Sequence, residues 1–141
     1  MNYRVLLCDD EPHVLLPLSL KFRKSGFEVI LAEHGGVAWT KILESIPDVV
    51  ITDCNMPHMT GLQLIEKIRG TPQTMHLPAI LLTAKGYEMD EADLQERLGV
   101  SALVVKPFSP KEVVQTAIRL LNLSGLDSVE INDRTNCIRP E

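Results

Sequence analysis

Five short apolar runs alternate with longer segments of helical periodicity, and this alternation limits the possible folds more than any other feature. The runs lie at residues 5–8, 28–32, 49–53, 79–82 and 102–105. They are rich in Val, Ile, Leu and Ala, which is typical of strands buried on both faces of a parallel sheet. Because each crossover must return over the sheet with the same hand, these units predict a doubly wound α/β fold with five strands and five helices.

Proline and glycine mark the ends of the predicted helices. Pro12 and Pro110 stand in the first turns of the first and fifth helices, where Pro is tolerated. Gly26 stops the first helix, and Gly35 opens the second. The fourth helix is predicted over residues 87–98, where the chain is acidic and only weakly apolar, so its helical signal is the weakest of the five.

The length of 141 residues leaves room for one domain with a proper core. We expect this domain to span residues 1–123 and to be followed by a polar tail, or the start of a linker, over residues 124–141. Residues 128–131 fit either an edge strand or part of a loosely held tail. An output domain does not fit in the tail, and a receiver cut from a longer protein is the alternative.

Charge and cysteine content bear on partners and compartment. Fourteen Lys and Arg against nineteen Asp and Glu give a net charge of −5, so we expect no direct contact with nucleic acid. The three cysteines are widely spaced and odd in number, which indicates neither a disulfide framework nor a C-x-x-C metal site. No segment approaches the ~20 apolar residues that a membrane span requires. The sequence therefore predicts a cytoplasmic protein with no membrane insertion.

Polar side chains follow four of the five predicted strands at their C-terminal ends. These residues are Asp9, Asp10, Asp53, Thr83 and Lys106. Singly, each has an ordinary structural explanation as a helix cap, a loop hydrogen bond or an ion pair. In a parallel sheet, however, these ends share one rim, where the crevice is the expected binding site. Their convergence therefore indicates a functional pocket.

The residue types in this pocket favour phosphoryl chemistry. Three carboxylates and one Lys carry a charge of about −2, which favours a hard divalent cation such as Mg²⁺. A cation, an ammonium group and the Thr83 hydroxyl are the parts needed to neutralise and hold a phosphoryl group. Asp53 is then the candidate nucleophile, which would form an aspartyl phosphate.

The order and spacing of four motifs give the chain a family resemblance. The motifs are Asp9-Asp10-Glu11, Asp53-x-Asn55-Met56-Pro57-x-Met59-x-Gly61, Thr83-Ala84 and Lys106-Pro107-Phe108. Over about residues 3 to 122 the chain resembles the receiver domains of two-component response regulators. The resemblance implies a flavodoxin-like, three-layer fold with strand order 2-1-3-4-5.

The resemblance also implies a role for each pocket residue. Asp53 would be phosphorylated by a phosphohistidine of a sensor histidine kinase or of a His-containing phosphotransfer protein. Mg²⁺, or Mn²⁺, would be held by Asp10, Asp53 and the backbone carbonyl of Asn55, with Asp9 bound mainly through water. Lys106 would pair with the phosphoryl group.

Further implied roles concern switching and the lifetime of the phosphoryl group. Thr83, followed by Ala84, would swing toward the phosphate and rearrange the next loop, while Asn55 and Lys85 would tune hydrolysis. Pro107 would follow a cis peptide bond. The family often has an aromatic residue at the position of Leu103, so this chain departs from the usual route from the pocket to the surface. The implied output face is formed by the fourth helix, the fifth strand and the fifth helix.

Two rival functions stay open at this stage. A phosphohydrolase of the haloacid-dehalogenase type needs a second Asp where this chain has Asn55, which cannot titrate. A degenerate receiver would act unphosphorylated as an interaction module. In our preferred interpretation the chain catalyses only its own phosphorylation and dephosphorylation.

The histidines and Cys54 are assigned no chemistry. We expect His34 to be a solvated loop residue and Cys54 to point away from the pocket into the packed side of the sheet. No metal role is assigned to any histidine of the chain, namely His13, His34, His58 and His76.

Overall fold

The computed structural model describes residues 3–56, 59–84 and 91–125, and strands and helices alternate throughout them. The strands are β1 Arg4–Cys8, β2 Glu28–Ala32, β3 Val49–Asp53, β4 Ala79–Thr83 and β5 Ala102–Val105. The helices are α1 Pro12–Lys24, α2 Gly35–Glu44, α3 Gly61–Arg69, α4 Glu91–Leu98 and α5 Pro110–Gly125. The predicted alternation is confirmed.

All strands are parallel and lie in the order β2-β1-β3-β4-β5. Helices α1 and α5 pack together on one face of this sheet, and α2, α3 and α4 cover the other. The doubly wound order that the family resemblance implied is therefore confirmed. It places β1 and β3 in the middle of the sheet and β5 at one edge.

Alternate residues of each strand pack into the hydrophobic cores on opposite faces of the sheet. Val5 and Leu7 of β1 pack under α1 and α5, whereas Leu6 and Cys8 pack under α2 and α3. Val49 and Val50 of β3 are divided in the same way. Successive side chains of a strand point to opposite faces, so a sheet covered on both sides needs apolar residues at every position. This requirement explains why the strands are continuous apolar runs in the sequence.

Proline, glycine and side-chain caps define the ends of the helices. Pro12 occupies the first turn of α1, and Gly26 follows the helix with φ of +94°, a conformation that suits glycine. Thr60 and Gln63 form a capping box at the start of α3. His34 is half-buried and caps α2, because its Nδ1 accepts a hydrogen bond from the Val37 N–H at 3.4 Å. His34 therefore lies in the loop before α2, as predicted, but its ring is only partly solvated and caps the helix.

Three sequence predictions meet the limits of the described residues. Helix α4 is described from Glu91, while residues 85–90 lie outside the described part of the chain. Helix α5 continues to Gly125, two residues past the domain boundary predicted at residue 123. The remaining tail, including the possible edge strand over residues 128–131, lies outside the described residues. Over the part that is described, no helix combines the length and apolar character needed to cross a bilayer.

Arg69, in the last turn of α3, holds two loops together on the α4 side of the sheet. Its Nε and Nη2 donate hydrogen bonds to the Gly99 carbonyl at 3.0 and 2.7 Å. Its Nη1 donates to the carbonyls of Leu77 at 2.7 Å and Met75 at 3.3 Å. One guanidinium therefore fixes the turn that leads into β5 and the loop that leads into β4.

Replacing Arg69 with Gln should lower the free energy of unfolding by about 2 kcal/mol, because charged hydrogen bonds to three carbonyls are lost. Urea denaturation measures the change. Arg97→Gln is the matched control, since Arg97 is exposed and contacts Asp93 in a surface i,i+4 pair. The control should cost less than about 0.5 kcal/mol. Equal effects of the two substitutions would contradict the structural role of Arg69.

Candidate functional site

Three acidic side chains meet at the C-terminal ends of the neighbouring strands β1 and β3. Asp9 and Asp10 follow β1, and Asp53 ends β3, the neighbouring strand. One carboxylate oxygen from each lies within 4.8 Å of the others. Asp9 and Asp53 are buried, whereas Asp10 is exposed. The structure thus brings together the three acids that the sequence placed on this rim.

The carboxylate of Asp53 is held by one hydrogen bond to each oxygen. Oδ2 accepts from the backbone N–H of Asn55 at 3.2 Å, and Oδ1 lies 2.8 Å from Lys106 Nζ. Only 5% of the Asp53 residue surface is exposed. Asn55 itself is exposed at the start of the following loop, in which Pro57 and His58 lie outside the described residues. The orientation of the Asp53 carboxylate is therefore fixed, and little of the residue is exposed to solvent.

Gly61 allows the chain to return close to Asp53. The Gly61 N–H donates to the Cys54 carbonyl at 3.0 Å, which folds the loop back onto the end of β3. A Cβ at Gly61 would lie 2.1 Å from the Asp53 carbonyl oxygen. In the sequence, Gly61 stood out only as part of the family motif. Its close approach to Asp53 is visible only in three dimensions.

Lys106 links the acids across the pocket. In addition to Asp53, its Nζ lies 3.6 Å from Asp9 Oδ2 and 3.6 Å from Glu11 Oε1. Burial lowers the pKa of Lys106, but the hydrogen bond to Asp53 and the nearby carboxylates outweigh burial and leave the pKa raised. The ammonium group is therefore charged at neutral pH. The Lys106–Pro107 peptide bond is cis, as the resemblance implied.

Asp9 is the buried acid with an unsatisfied oxygen. Its Oδ1 accepts a hydrogen bond from the Glu11 N–H at 2.9 Å, whereas its Oδ2 has no hydrogen-bond partner among the described residues. Burial raises the pKa of the Asp9 carboxyl to about 6, and the charge of Asp53 adds to this rise. A buried carboxylate oxygen beside two further carboxylates is the donor set that a hard divalent cation prefers. The residues present thus fit a magnesium site.

Mg²⁺ affinity should fall as the pH drops through about 6. Protons and the cation compete for the Asp9 carboxylate, and the raised pKa means that the protonated form prevails below this pH. Linkage predicts about tenfold weaker binding at pH 5 than at pH 7. Calorimetric titration with MgCl₂ measures this change. Asp9→Asn should flatten the pH dependence, and equal affinity of the wild type at both pH values would contradict the prediction.

Thr83 ends β4 beside Lys106. Its residue is buried, and its Oγ1 has no hydrogen-bond partner among the described residues. The Thr83 carbonyl accepts from the Lys106 N–H at 2.7 Å, so the two residues are adjacent on the rim. Ala84 follows and is exposed, while Lys85 lies outside the described residues. Leu103, half-buried on β5, packs against the apolar cluster under α3 and α4.

The sulfur-containing residues below the pocket serve packing. Cys54 is buried in the cluster with Ile65 and Leu81, as predicted. Cys8 Sγ lies 3.3 Å from Met56 Sδ in the neighbouring cluster under α2 and α3, and burial raises the pKa of the Cys8 thiol to about 12. Such a thiol stays protonated and unreactive. Cys137 lies outside the described residues.

Sequence reasoning missed the contact of Glu11 with Lys106. The signal was present, because Glu11 directly follows the acid pair and belongs to the quoted motif. Its side chain nevertheless reaches a residue from the other end of the chain, and that contact depends on side-chain geometry.

Comparison with known proteins gives consistent matches. A family profile described as the response regulator receiver domain matches residues 5–118. The alkaline phosphatase synthesis transcriptional regulatory protein PhoP of Bacillus subtilis is 32% identical over 136 residues, which cover 94% of this chain and 55% of PhoP. The transcriptional regulatory protein SrrA of Staphylococcus aureus is 34% identical, with 92% and 52% covered. The chain therefore spans about half the length of these relatives.

Solved structures agree with these sequence matches. A putative response regulator from Chloroflexus aurantiacus superposes with a TM-score of 0.80 at 32% identity, covering 86% of this chain and 99% of that one. The chemotaxis response regulator CheY4 of Vibrio cholerae gives a TM-score of 0.76 at 30% identity, with 85% and 99% covered.

Proposed function

Because the chain belongs to the receiver domains of two-component response regulators, whose function is phosphorylation on Asp and signalling to a partner, we propose that Asp53 is its phosphoacceptor. The observation that carries this assignment is the position of the Asp53 carboxylate. It lies 2.8 Å from the Lys106 ammonium and within 4.8 Å of Asp9 and Asp10 ligand atoms. Such a group is held in place and is surrounded by the charges that phosphoryl transfer needs.

Receiver domains generally use Mg²⁺, and we assign its ligands here to Asp10, Asp53 and the backbone carbonyl of Asn55. Asp9 would act mainly through water, and Mn²⁺ would serve as a substitute. When bound, the cation neutralises the oxygens of the transferred phosphoryl group. The unsatisfied oxygen of Asp9 and the exposed position of Asp10 support this assignment.

The chain's own residues supply the rest of the mechanism. A carboxylate oxygen of Asp53 attacks the phosphorus of a phosphohistidine, the P–N bond breaks, and its electron pair leaves on the imidazole. The Asn55 N–H holds the carboxylate in position during the attack. Lys106 then transfers its hydrogen bond from Asp53 to a phosphoryl oxygen, and the Thr83 hydroxyl donates to another.

Hydrolysis returns the protein to its resting state. Water attacks the acyl phosphate and releases phosphate, and the exposed Asn55, two residues after Asp53, has no ionisable group to activate that water. We therefore assign Asn55, together with Lys85, to tuning the lifetime of the phosphoryl group. Sustained turnover of small phosphate esters would instead favour a phosphohydrolase.

We propose that the phosphodonor is a sensor histidine kinase or a His-containing phosphotransfer protein. The proposed output surface is formed by α4, β5 and α5. Val105 on the edge strand β5 and Ile118 on α5 are both exposed, which supports a protein contact there. We place the chain in the cytosol and assign it no nucleic-acid contact of its own, given its net charge of −5. Leu103, half-buried against the apolar cluster under α3 and α4, takes the place of the aromatic residue in the proposed route from Thr83 to this surface.

Intact mass spectrometry tests the proposal on the wild-type protein. Incubation with Mg²⁺ and acetyl phosphate should add one labile phosphoryl group, and EDTA should prevent the addition. Reduction of the acyl phosphate with borohydride, followed by peptide mapping, should place the modification at Asp53. A modification at another residue, or no adduct together with no Mg²⁺ binding, would refute the proposal.

A further inference from the structure

Glu11 contacts Lys106 but has no part in the scheme above. Its Oε1 lies 3.6 Å from Lys106 Nζ, the same distance as the buried Asp9 Oδ2. The side chain of Glu11 is 48% exposed and that of Lys106 is 22% exposed. Glu11 therefore stands at the mouth of the pocket, on the solvent side of the ammonium group.

The local structure leaves the Glu11 side chain available for this contact. Glu11 is the N-cap residue of α1, yet its side chain makes no capping hydrogen bond. Its backbone N–H donates to Asp9 Oδ1 at 2.9 Å, and its carbonyl accepts from the N–H groups of Val14 and Leu15. The backbone N–H and carbonyl of Glu11 are thus both hydrogen-bonded. Its side chain lies near Lys106 and, at 4.0 Å, near His13.

The charge at this position opposes small anionic donors. With Lys106 protonated, the carboxylates of Asp9, Asp10, Asp53 and Glu11 give the pocket a charge of about −3, and bound Mg²⁺ would leave it at about −1. Glu11 adds one of these charges on the solvent side of Lys106 and offsets the attraction that Lys106 exerts on an approaching phosphate. A phosphohistidine carried by a protein gains binding energy from the surrounding protein surface, which a small donor cannot do.

We propose that Glu11 is a specificity-determining residue that selects against small, highly charged phosphodonors in favour of a protein-borne phosphohistidine. The inference rests on the proposed phosphorylation of Asp53. It assigns to Glu11 a role in donor choice, which acts through the charge balance around Lys106 and involves no contact with the reacting atoms.

The test compares two small donors that differ in charge. At neutral pH acetyl phosphate is a dianion and phosphoramidate is mainly a monoanion. Glu11→Gln should raise the apparent second-order rate of phosphorylation by acetyl phosphate about three- to tenfold, and that by phosphoramidate less than about twofold. The gain should shrink at high ionic strength, because salt screens the exposed charge.

Two further variants separate charge from structure. Glu11→Asp keeps the charge and should preserve the wild-type ratio of the two rates. Glu44→Gln removes an exposed charge at the end of α2, on the opposite edge of the sheet, and should leave both rates unchanged. Equal changes with both donors, or no change in Glu11→Gln, would overturn the proposal while wild-type phosphorylation at Asp53 stands. Absence of Asp53 phosphorylation in the wild type would instead overturn the proposed function.

Discussion

Asp53→Asn will reduce Mg²⁺-dependent phosphoryl uptake by at least about 1,000-fold, because a neutral amide cannot replace the carboxylate nucleophile. The substitution is nearly isosteric, so the amide oxygen still accepts a hydrogen bond from the Asn55 N–H. Lys106 keeps its contacts with Asp9 and Glu11. The fold should therefore survive, and the loss should be chemical. Uptake is measured by intact mass at fixed times after addition of acetyl phosphate.

Asp48→Asn is the matched control for this experiment. Asp48 directly precedes β3 and so lies at the opposite end of the same strand from Asp53. Its Oδ2 accepts a hydrogen bond from the Arg4 N–H at 2.7 Å. An Asn oxygen preserves that hydrogen bond, so phosphoryl uptake should equal that of the wild type. If Asp53→Asn took up phosphate at the wild-type rate, the acceptor would have to be another residue.

Gly61→Ala should lower the free energy of unfolding by about 3 kcal/mol, because the added methyl group overpacks a backbone contact. The new Cβ would lie 2.1 Å from the Asp53 carbonyl oxygen and 3.0 Å from Leu81 Cδ1. The carbonyl belongs to Asp53, the proposed phosphoacceptor, so relief of the clash must displace this residue. Phosphoryl uptake should therefore fall together with stability. Urea denaturation and intact mass measure the two effects.

Gly70→Ala provides the comparison for Gly61. Gly70 follows α3 with φ of −85°, and an added Cβ would lie 3.4 Å from its nearest neighbour, the Glu66 carbonyl oxygen. Alanine is tolerated in this conformation, so the change should stay within about 0.5 kcal/mol. Similar losses in both variants would mean that the approach to Asp53 is not the cause.

The strands could be predicted because burial on both faces leaves a continuous apolar run. The same pattern placed Asp9, Asp53 and Lys106 at strand ends, and parallel pairing put them on one rim. The strand order came only from the family resemblance, since alternation alone is compatible with several orders. The pattern thus fixed the class of fold and the location of the pocket.

The contacts that sequence reasoning missed depend on side-chain geometry between distant segments. Glu11 reaches Lys106 from the other end of the chain. Gly61 approaches a carbonyl eight residues earlier because the loop folds back. His34 lies in a loop by composition, but its ring nitrogen reaches the Val37 N–H and caps a helix. Hydrophobic periodicity indicates which face of a helix or strand is buried. None of these three contacts alters that hydrophobic pattern.

The strand order places the pocket residues on strands that differ in how easily they can shift. Asp9 and Asp53 are attached to β1 and β3, each of which is hydrogen-bonded to a strand on both sides. Lys106 follows β5, which pairs with β4 alone among the strands of the described residues. A lateral shift of β5 therefore strains one ladder of hydrogen bonds, whereas a shift of β1 or β3 strains two. Asp53, the proposed phosphoacceptor, is therefore attached to a central strand that resists displacement. Lys106, which we propose to contact the phosphoryl group, follows an outer strand that can shift more easily.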